Sequence, residues 1–291
     1  MAHFDLKDAT AIVTGGSRGI GPHIAMALVR RDASVAIVGR DEARLEATAR
    51  ELTAVGGRVL AIRGDVTSTD DRHAVVERVE RELGSIDVLV NNAGGDLQRE
   101  FHNLTEQEIL GTLELNLTSA VILTRLVLPS MLAQARGHIV NVSSMAGRTS
   151  FPYTEAYAAA KDGLIGFTRV LRGDYRRRGV SASTLILGPV GEAGVGARTT
   201  EEVGLKLPPV GLVSPTKVGR ETVRAILRDK AEIAVLPGPG LALRATMDRF
   251  PGLGPAMNRA TGVGKTMLAV SEYREREARL ILAGPPRGDN G

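Results

Sequence analysis

Between Thr10 and Leu236, short apolar runs alternate with helix-spaced stretches without interruption, and this constrains the fold more than any other feature. The runs are Thr10–Thr14, Ser34–Val38, Arg58–Arg63, Ile86–Val90, His138–Val142, Val180–Leu187 and Glu232–Leu236. Each is apolar throughout rather than at every second residue, so both faces of such a strand must be covered. Between them, apolar residues recur three and four apart in Gly19–Arg31, Thr69–Leu83, Glu106–Gln134, Ala156–Arg178 and Thr216–Arg228. A further helix is started by Asp41, a good N-cap, and runs to Gly56-Gly57. Strand and helix in alternation predict an α/β fold. With right-handed crossovers this becomes a doubly wound, parallel, seven-stranded sheet in three layers. Residues 1–236 read as one domain. Residues 237–291 hold Pro237-Gly-Pro-Gly240, Phe250-Pro-Gly252 and Pro285-Pro286. They predict a loop-rich C-terminal extension with one or two short helices and a disordered end from about residue 285.

Several function classes fall away on composition. The chain has no cysteine, which removes disulfides, thiolate metal sites and cysteine nucleophiles. Its five histidines, at 3, 23, 73, 102 and 138, show no metal spacing, so no metal is expected. The net charge of +4 is 37 basic minus 33 acidic residues, mild for 291 residues. Aromatics are only 3% and Trp is absent, so stacking platforms for nucleic acid are scarce. The tight run Arg176-Arg177-Arg178 reads as the solvated C-terminus of a helix. The stretch before the first strand is too short and polar for a signal peptide, and no apolar run reaches a membrane-spanning length. The expectation is a cytoplasmic protein without a transmembrane segment.

The chemistry-bearing residues fall where ligands of such a sheet bind, beyond the carboxyl ends of its strands. Thr14-Gly15-Gly16-Ser17-Arg18-Gly19-Ile20-Gly21 lies between the first strand and first helix. Glycines there permit a tight turn and close backbone approach to phosphate, and the helix N-terminus offers free N–H groups. The second strand ends in Val38-Gly39-Arg40, with no acid to bond the ribose hydroxyls of NAD. Arg40 and Arg18 instead suit a 2′-phosphate, so NADP(H) is expected over NAD(H). Asp41 is the rival ribose ligand, though more useful as the N-cap. Tyr157 and Lys161, four apart, share a helix face. An ammonium nearby favours the phenolate and lowers the tyrosine pKa, making Tyr157 a candidate proton donor and acceptor. Ser143-Ser144 ends the fifth strand, where a hydroxyl can donate to a substrate oxygen. Asn116 lies inside a long helix and is a mediocre helix former, so it is either exposed or buried for a reason.

Together these residues resemble the short-chain dehydrogenase/reductase family over roughly Leu6 to Leu236. The glycine turn has the family's TGxxxGxG form, and Asn91-Asn92-Ala93-Gly94 matches its NNAG after the fourth strand. Asp65-Val66 looks like the pair that contacts adenine, and Asn116, a serine, Tyr157 and Lys161 match the catalytic tetrad. The serine of the family lies thirteen residues before the tyrosine and opens a Ser-x-x-Gly turn; Ser144 meets both conditions with Gly147, and Ser143 is the alternative. The resemblance implies that Tyr157 exchanges the proton. Lys161 lowers its pKa and bonds the nicotinamide ribose. Ser144 polarises the carbonyl, and Asn116 holds a relay water. It further implies a cofactor site of Gly15, Ser17, Arg18, Gly19, Ile20, Gly21, Arg40, Asp65, Val66, Asn92, Ala93, Gly94, Tyr157, Lys161, Gly188 and Val190. One stretch departs from the pattern. Leu187-Gly188-Pro189-Val190-Gly191-Glu192 keeps Gly188 and Val190 but replaces the threonine that touches the carboxamide. In this it is similar to some membrane-associated steroid-type reductases of the family.

The segment Pro189–Val213 should cover the substrate. Its Val195, Val203, Leu205, Leu207, Leu212 and Val213 predict an apolar pocket for a hydrophobic ketone or alcohol, and Gly191, Gly194 and Gly196 predict mobility. Residues Leu241, Leu243, Met247, Phe250, Leu253 and Met257, with Arg244, Arg249 and Arg259, read as packing on the subunit or its partner, or as a peripheral membrane contact. Helices 106–134 and 156–178 resemble the family's subunit interface, which implies a homodimer or homotetramer. The expected activity is hydride transfer between NADP(H) and a carbonyl or alcohol. Two alternatives stand beside it: a slow NADP(H)-binding regulator or scaffold, and an isomerase or dehydratase.

Overall fold

The computed structural model describes residues 4–149, 151–191, 203–204, 211–238, 245–246, 249–250, 252–253, 256, 259 and 262–283. Seven strands form one parallel sheet: β1 (Thr10–Thr14), β2 (Ser34–Gly39), β3 (Val59–Arg63), β4 (Val88–Asn91), β5 (Gly137–Ser144), β6 (Val180–Leu187) and β7 (Glu232–Val235). Their order is β3-β2-β1-β4-β5-β6-β7, so the winding reverses between β1 and β4 and opens a crevice there. The helices are α1 (Gly21–Val29), α2 (Glu42–Ala54), α3 (Thr69–Leu83), α4 (Glu106–Leu113), α5 (Ser119–Ala133), α6 (Glu155–Tyr175), α7 (Pro215–Leu227) and α8 (Val263–Ala283). The expected doubly wound, three-layered sheet is the observed one.

Continuous apolarity in the strands has its reason in the two cores. Val13, Val35 and Ile37 face one side with Ile24 and Leu28 of α1, Leu45 and Leu52 of α2, and Val218 and Ile226 of α7. Ile12, Ala36 and Val38 face the other with Val75, Val76 and Val79 of α3, Leu123, Val127 and Met131 of α5, and Leu171 of α6. Successive side chains point to opposite faces, so each strand feeds both layers. The helix starts are specified locally. Asp41 accepts from the Arg44 N–H at 3.1 Å, Ser68 from Asp71, and Ser214 from Lys217. Thr105 and Glu108 close a reciprocal capping box at the start of α4.

Two elements differ from expectation. The long helix is not regular: between α4 and α5, Glu114–Thr118 form a π turn in which the Ser119 N–H reaches back five residues to the Glu114 carbonyl. Together, 106–133 is long and apolar enough by length and composition alone to cross a membrane, but its Leu123, Val127 and Met131 lie fully buried on the sheet, as in a core helix. The extension, expected to carry only short helices, contains α8 with 21 residues. Its Met267, Val270 and Ser271 are buried, so a docked face sustains a helix that the surrounding proline and glycine signals obscured. Of the segment thought to cover the substrate, Val190, Gly191, Val203, Leu212 and Val213 are described. Glu192, Gly194, Val195, Gly196, Leu205 and Leu207 lie outside the described residues, as do Leu241, Leu243, Arg244, Met247, Met257 and the end from 285.

Candidate active site

The glycine turn is a backbone cradle. Gly15 and Gly19 adopt φ of 64° and 63°, the left-handed region open to glycine. A Cβ on Gly21 would collide with the carbonyl of Gly15, so the helix can start this close to the strand only without a side chain. Thr14 stitches the turn to β4. Its hydroxyl donates to the Val90 carbonyl at 3.3 Å and accepts from the N–H groups of Asn92 and Ala93, both at 3.0 Å. Asn92 returns two bonds through Nδ2, to Thr14 O at 2.9 Å and Gly15 O at 3.3 Å. Its Oδ1 is buried with no partner. The N-cap of α1, Ile20, has no capping side chain; the Gly21 N–H closes the turn onto the Arg18 carbonyl at 3.2 Å, and Pro22 after it has no N–H to satisfy. The absence of Cβ atoms along this turn leaves room for a dinucleotide pyrophosphate to approach the backbone.

At the end of β2, a Cβ on Gly39 would lie 2.7 Å from Ser17 Oγ, so a side chain there would require the Ser17 hydroxyl to turn away. Arg40 is 66% exposed and its Nη1 lies 3.5 Å from Asp65 Oδ2. Asp65 binds Thr67 through N–H and hydroxyl, at 2.9 and 2.7 Å. Burial pushes its carboxyl up, but those bonds and the Arg40 charge win and hold it below the usual range. Val66 packs into the core. Gly188 and Val190 follow β6, where Val190 bridges in parallel to Val213 and both are buried.

The four candidate catalytic residues converge on the crevice from three elements. Tyr157 and Lys161 project from one face of α6, with Lys161 Nζ 5.5 Å from the Tyr157 ring centroid. Lys161 is buried and donates to the Val142 carbonyl at 3.0 Å. Of the two serines, Ser143 turns away and donates to the Lys161 carbonyl at 2.8 Å. Ser144 accepts from Ala146 N–H at 3.1 Å, opening the turn that Gly147 packs against α6, and its hydroxyl is near enough to the Tyr157 phenol to favour loss of the phenolic proton. Asn116 is buried for a reason: Nδ2 donates to Thr112 O and Gly95 O, at 2.9 and 2.8 Å, and Oδ1 accepts from Gly95 N–H at 3.2 Å. The π turn provides its position. A Cβ on Gly94 would meet Asn116 Oδ1 at 2.8 Å and Lys161 Nζ at 3.3 Å, so glycine leaves the space between those atoms open.

The electrostatics depart from the sequence expectation. Burial pushes the Tyr157 phenol above its ordinary pKa, the Asp96 charge adds to the rise, and the Ser144 hydroxyl only partly offsets them. Burial likewise lowers Lys161 to about 8, with the Asp96 charge opposing. The sequence reading missed Asp96 altogether. It lies on the loop after Asn91-Asn92-Ala93-Gly94, and its carboxyl is raised to about 7, chiefly by burial and further by Glu155. The bonds from Gln98 and Leu97 N–H and the Arg274 charge act against the rise. The only sequence signal was a lone acid two residues beyond the family's glycine. Arg99 beside it joins α4 to α8, with Nη1 2.5 Å from Glu108 Oε1 and Nε 3.2 Å from Glu275 Oε1. Arg99 and Glu275 are 11% and 14% exposed. A surface hollow of about 700 Å³ along α4, lined by Glu106, Leu110 and Glu114, contains none of the catalytic candidates.

Known proteins resemble the chain throughout this region. A family model described as short chain dehydrogenase matches residues 9–203. The ketoacyl reductase HetN of a Nostoc species is 36% identical over 235 residues, 80% of each chain. A 2-(S)-hydroxypropyl-CoM dehydrogenase of Xanthobacter autotrophicus is 32% identical, over 83% of this chain and 97% of its own. Among solved structures, a metagenomic short-chain oxidoreductase in complex with NADP is 30% identical. It superposes with a TM-score of 0.69 over 80% of this chain and 98% of its own.

Proposed function

From the premise that the chain belongs to the short-chain dehydrogenase family, we propose that it is an NADP(H)-dependent reductase of a carbonyl on a small, largely apolar molecule, reversible to the alcohol. The observation that carries this reading is the Ser144–Tyr157–Lys161 cluster. A phenol near a serine hydroxyl sits with its ring 5.5 Å from a buried ammonium, beside a cradle that fits a dinucleotide. A bound nicotinamide would supply or take the hydride at the substrate carbon. Tyr157 gives its hydroxyl proton to the carbonyl oxygen, and a phenol kept protonated at neutral pH suits that direction. Ser144 donates to the same oxygen as charge builds. Lys161 would bond the nicotinamide ribose and restore the proton through a water for which the space beside Gly94, between Lys161 Nζ and Asn116 Oδ1, leaves room.

Preference for NADP(H) rests on Arg18 and Arg40 as partners of a 2′-phosphate and on glycine, not an acid, at the end of β2. Asp41, the rival, is occupied by Arg44 as N-cap and ion pair. A homodimer or homotetramer goes with this reading: Leu110 and Val170 are exposed on α4 and α6. The test is fluorescence titration with NADPH and NADH, then NADPH oxidation with a panel of hydrophobic ketones and 3-ketoacyl thioesters. Tight NADPH binding with turnover is expected. Binding of neither nucleotide would overturn the reading, and a clear preference for NADH would overturn the cofactor assignment.

A further inference from the structure

Resting on that reading, in which Asn116 borders the path that returns a proton to Lys161, we propose that Arg72 is the positioning residue of Asn116: its guanidinium holds the π turn to the loop after β3 and so fixes where the Asn116 amide stands. Arg72 lies on α3, outside the tetrad and the glycine cradle, and is 6% exposed. Its Nη1 donates to the Val66 carbonyl and to Glu114 Oε1, both at 2.8 Å. Its Nη2 donates to Thr69 Oγ1 at 3.1 Å. Val66 follows β3, Thr69 opens α3 and Glu114 opens the π turn. One planar fork thus joins three segments. A buried guanidinium is costly to desolvate, and a carboxylate at this distance constrains geometry as well as charge.

A π turn is a rare departure from the regular helix, so its orientation needs a hold from outside. Glu114 and Asn116 stand two residues apart, and their side chains leave the helix about 200° apart, on nearly opposite sides. Asn116 reaches one way to Gly95, with Nδ2 2.8 Å from its carbonyl and Oδ1 3.2 Å from its N–H. Glu114 reaches the other way to Arg72 on α3. The turn is pinned across its width. Its remaining side-chain bonds are internal: Asn116 Nδ2 to the Thr112 carbonyl and Ser119 Oγ to the Leu115 carbonyl, both at 2.9 Å. Those bonds move with the turn and cannot fix its rotation, whereas Arg72 refers it to the Val66 backbone beside the sheet. Releasing that hold lets the turn roll and draws Asn116 off Gly95. Gly94, the next residue back, borders both Asn116 Oδ1 and Lys161 Nζ, so the roll alters the space between those two atoms.

The experiment compares wild type with Arg72→Met, which keeps bulk and loses the charge, and Glu114→Gln, which keeps an acceptor at the half-buried end of the pair. Hydrogen exchange of the Gly95 N–H, followed by NMR in the cofactor-free protein, reads the Asn116 contact without a substrate, and Asn116→Ala sets its upper limit. Arg72→Met should speed that exchange about tenfold while the amides of β5 keep their rates; Glu114→Gln should do so less. In NADPH-dependent ketone reduction, Arg72→Met should lower kcat about tenfold. Added to Asn116→Ala it should lower kcat no further, because a residue that acts through Asn116 then has nothing to position. Glu114→Gln serves for both readouts if Arg72→Met does not fold. Unchanged Gly95 exchange, unchanged kcat, or a kcat loss of equal size with and without Asn116 would overturn the proposal. Faster Gly95 exchange in a protein that reduces nothing even as wild type would overturn the functional reading alone.

Discussion

From Thr14 to Gly21 the crevice wall is backbone held by backbone, whereas from Asp96 to Arg99 it is a set of charges held by other charges. The first wall depends on where Cβ atoms are absent, with Gly15, Gly21 and Gly39 each touching a neighbour that would have to move. The second depends on side chains drawn from far apart, Arg99 and Glu275 being 176 positions distant. A backbone cradle tolerates no added bulk but is indifferent to pH. A charge cluster tolerates reshaping but not neutralisation.

That contrast can be broken or sharpened by substitution. The largest effect belongs to neither wall but to the group between them. Tyr157→Phe should lower turnover by about a thousandfold while NADPH titration stays unchanged, since one proton transfer is lost and no phosphate contact is touched. Gly21→Ala should cost about 3 kcal/mol in denaturant unfolding and abolish NADPH binding, because a Cβ drives α1 away from Gly15. If it bound NADPH normally, the backbone account of the first wall would fail. A control for pH comes from His138, buried at the opposite end of β5, its Nε2 2.8 Å from Ser183 Oγ and its pKa lowered to about 4 by burial. The native state binds fewer protons than the unfolded one between about 4 and 6.5. Its contribution is therefore complete above about 6.5 and lost as pH falls to 4, on the order of 3 kcal/mol; Asp96, raised to about 7, slopes the opposite way over nearly the same window, so the effect is read as the difference between wild type and His138→Asn in pH-dependent melts, wild type gaining relative to the variant as pH rises. Asp229, held at about 2 by Arg172, Ser181 and Arg176, acts only below that window. Arg99→Ala should destabilise by about 2 kcal/mol, leaving Glu108 and Glu275 unpaired. It should raise KM for substrate without moving the NADPH titration; an equal loss in NADPH binding would show that the two walls are one unit. The smallest change is at exposed Arg40: Arg40→Gln should weaken NADPH by roughly tenfold and NADH hardly at all.

The same contrast explains what could be read in advance. The strands, their order class and the glycine turn were legible because local sequence specifies them: apolar runs demand two covered faces, and TGxxxGxG permits one close turn. Thr69–Leu83 and Val180–Leu187 fell on their observed bounds because Ser68 caps the one and Gly179, at a φ of 85°, precedes the other. Tyr157 and Lys161 were visible as a helical pair. Choosing Ser144 over Ser143 needed the direction in which each hydroxyl points, which neighbouring positions on a strand do not reveal on their own. Asp96, Arg99 and Glu275 were illegible because their meaning lies in partners the chain brings together only on folding. The upward shift of Tyr157 was equally hidden, since a four-residue spacing reports nearness to Lys161 but not burial. Helix α8 was masked by the glycines and prolines around it.

The π turn at Glu114–Thr118 gives this enzyme an indel rule. A single residue inserted into a helix advances every later side chain by about 100°. Here that offset brings Asn116 inward to clasp Gly95 and still returns Leu123, Val127 and Met131 to the sheet. Excising one residue between 114 and 118 would yield a more regular, better hydrogen-bonded helix, yet one of its two ends would then present the wrong stripe. A designer shortening this chain for stability should spare that irregular turn, because its local imperfection is what keeps the Asn116-bearing and sheet-packing faces of one helix in step.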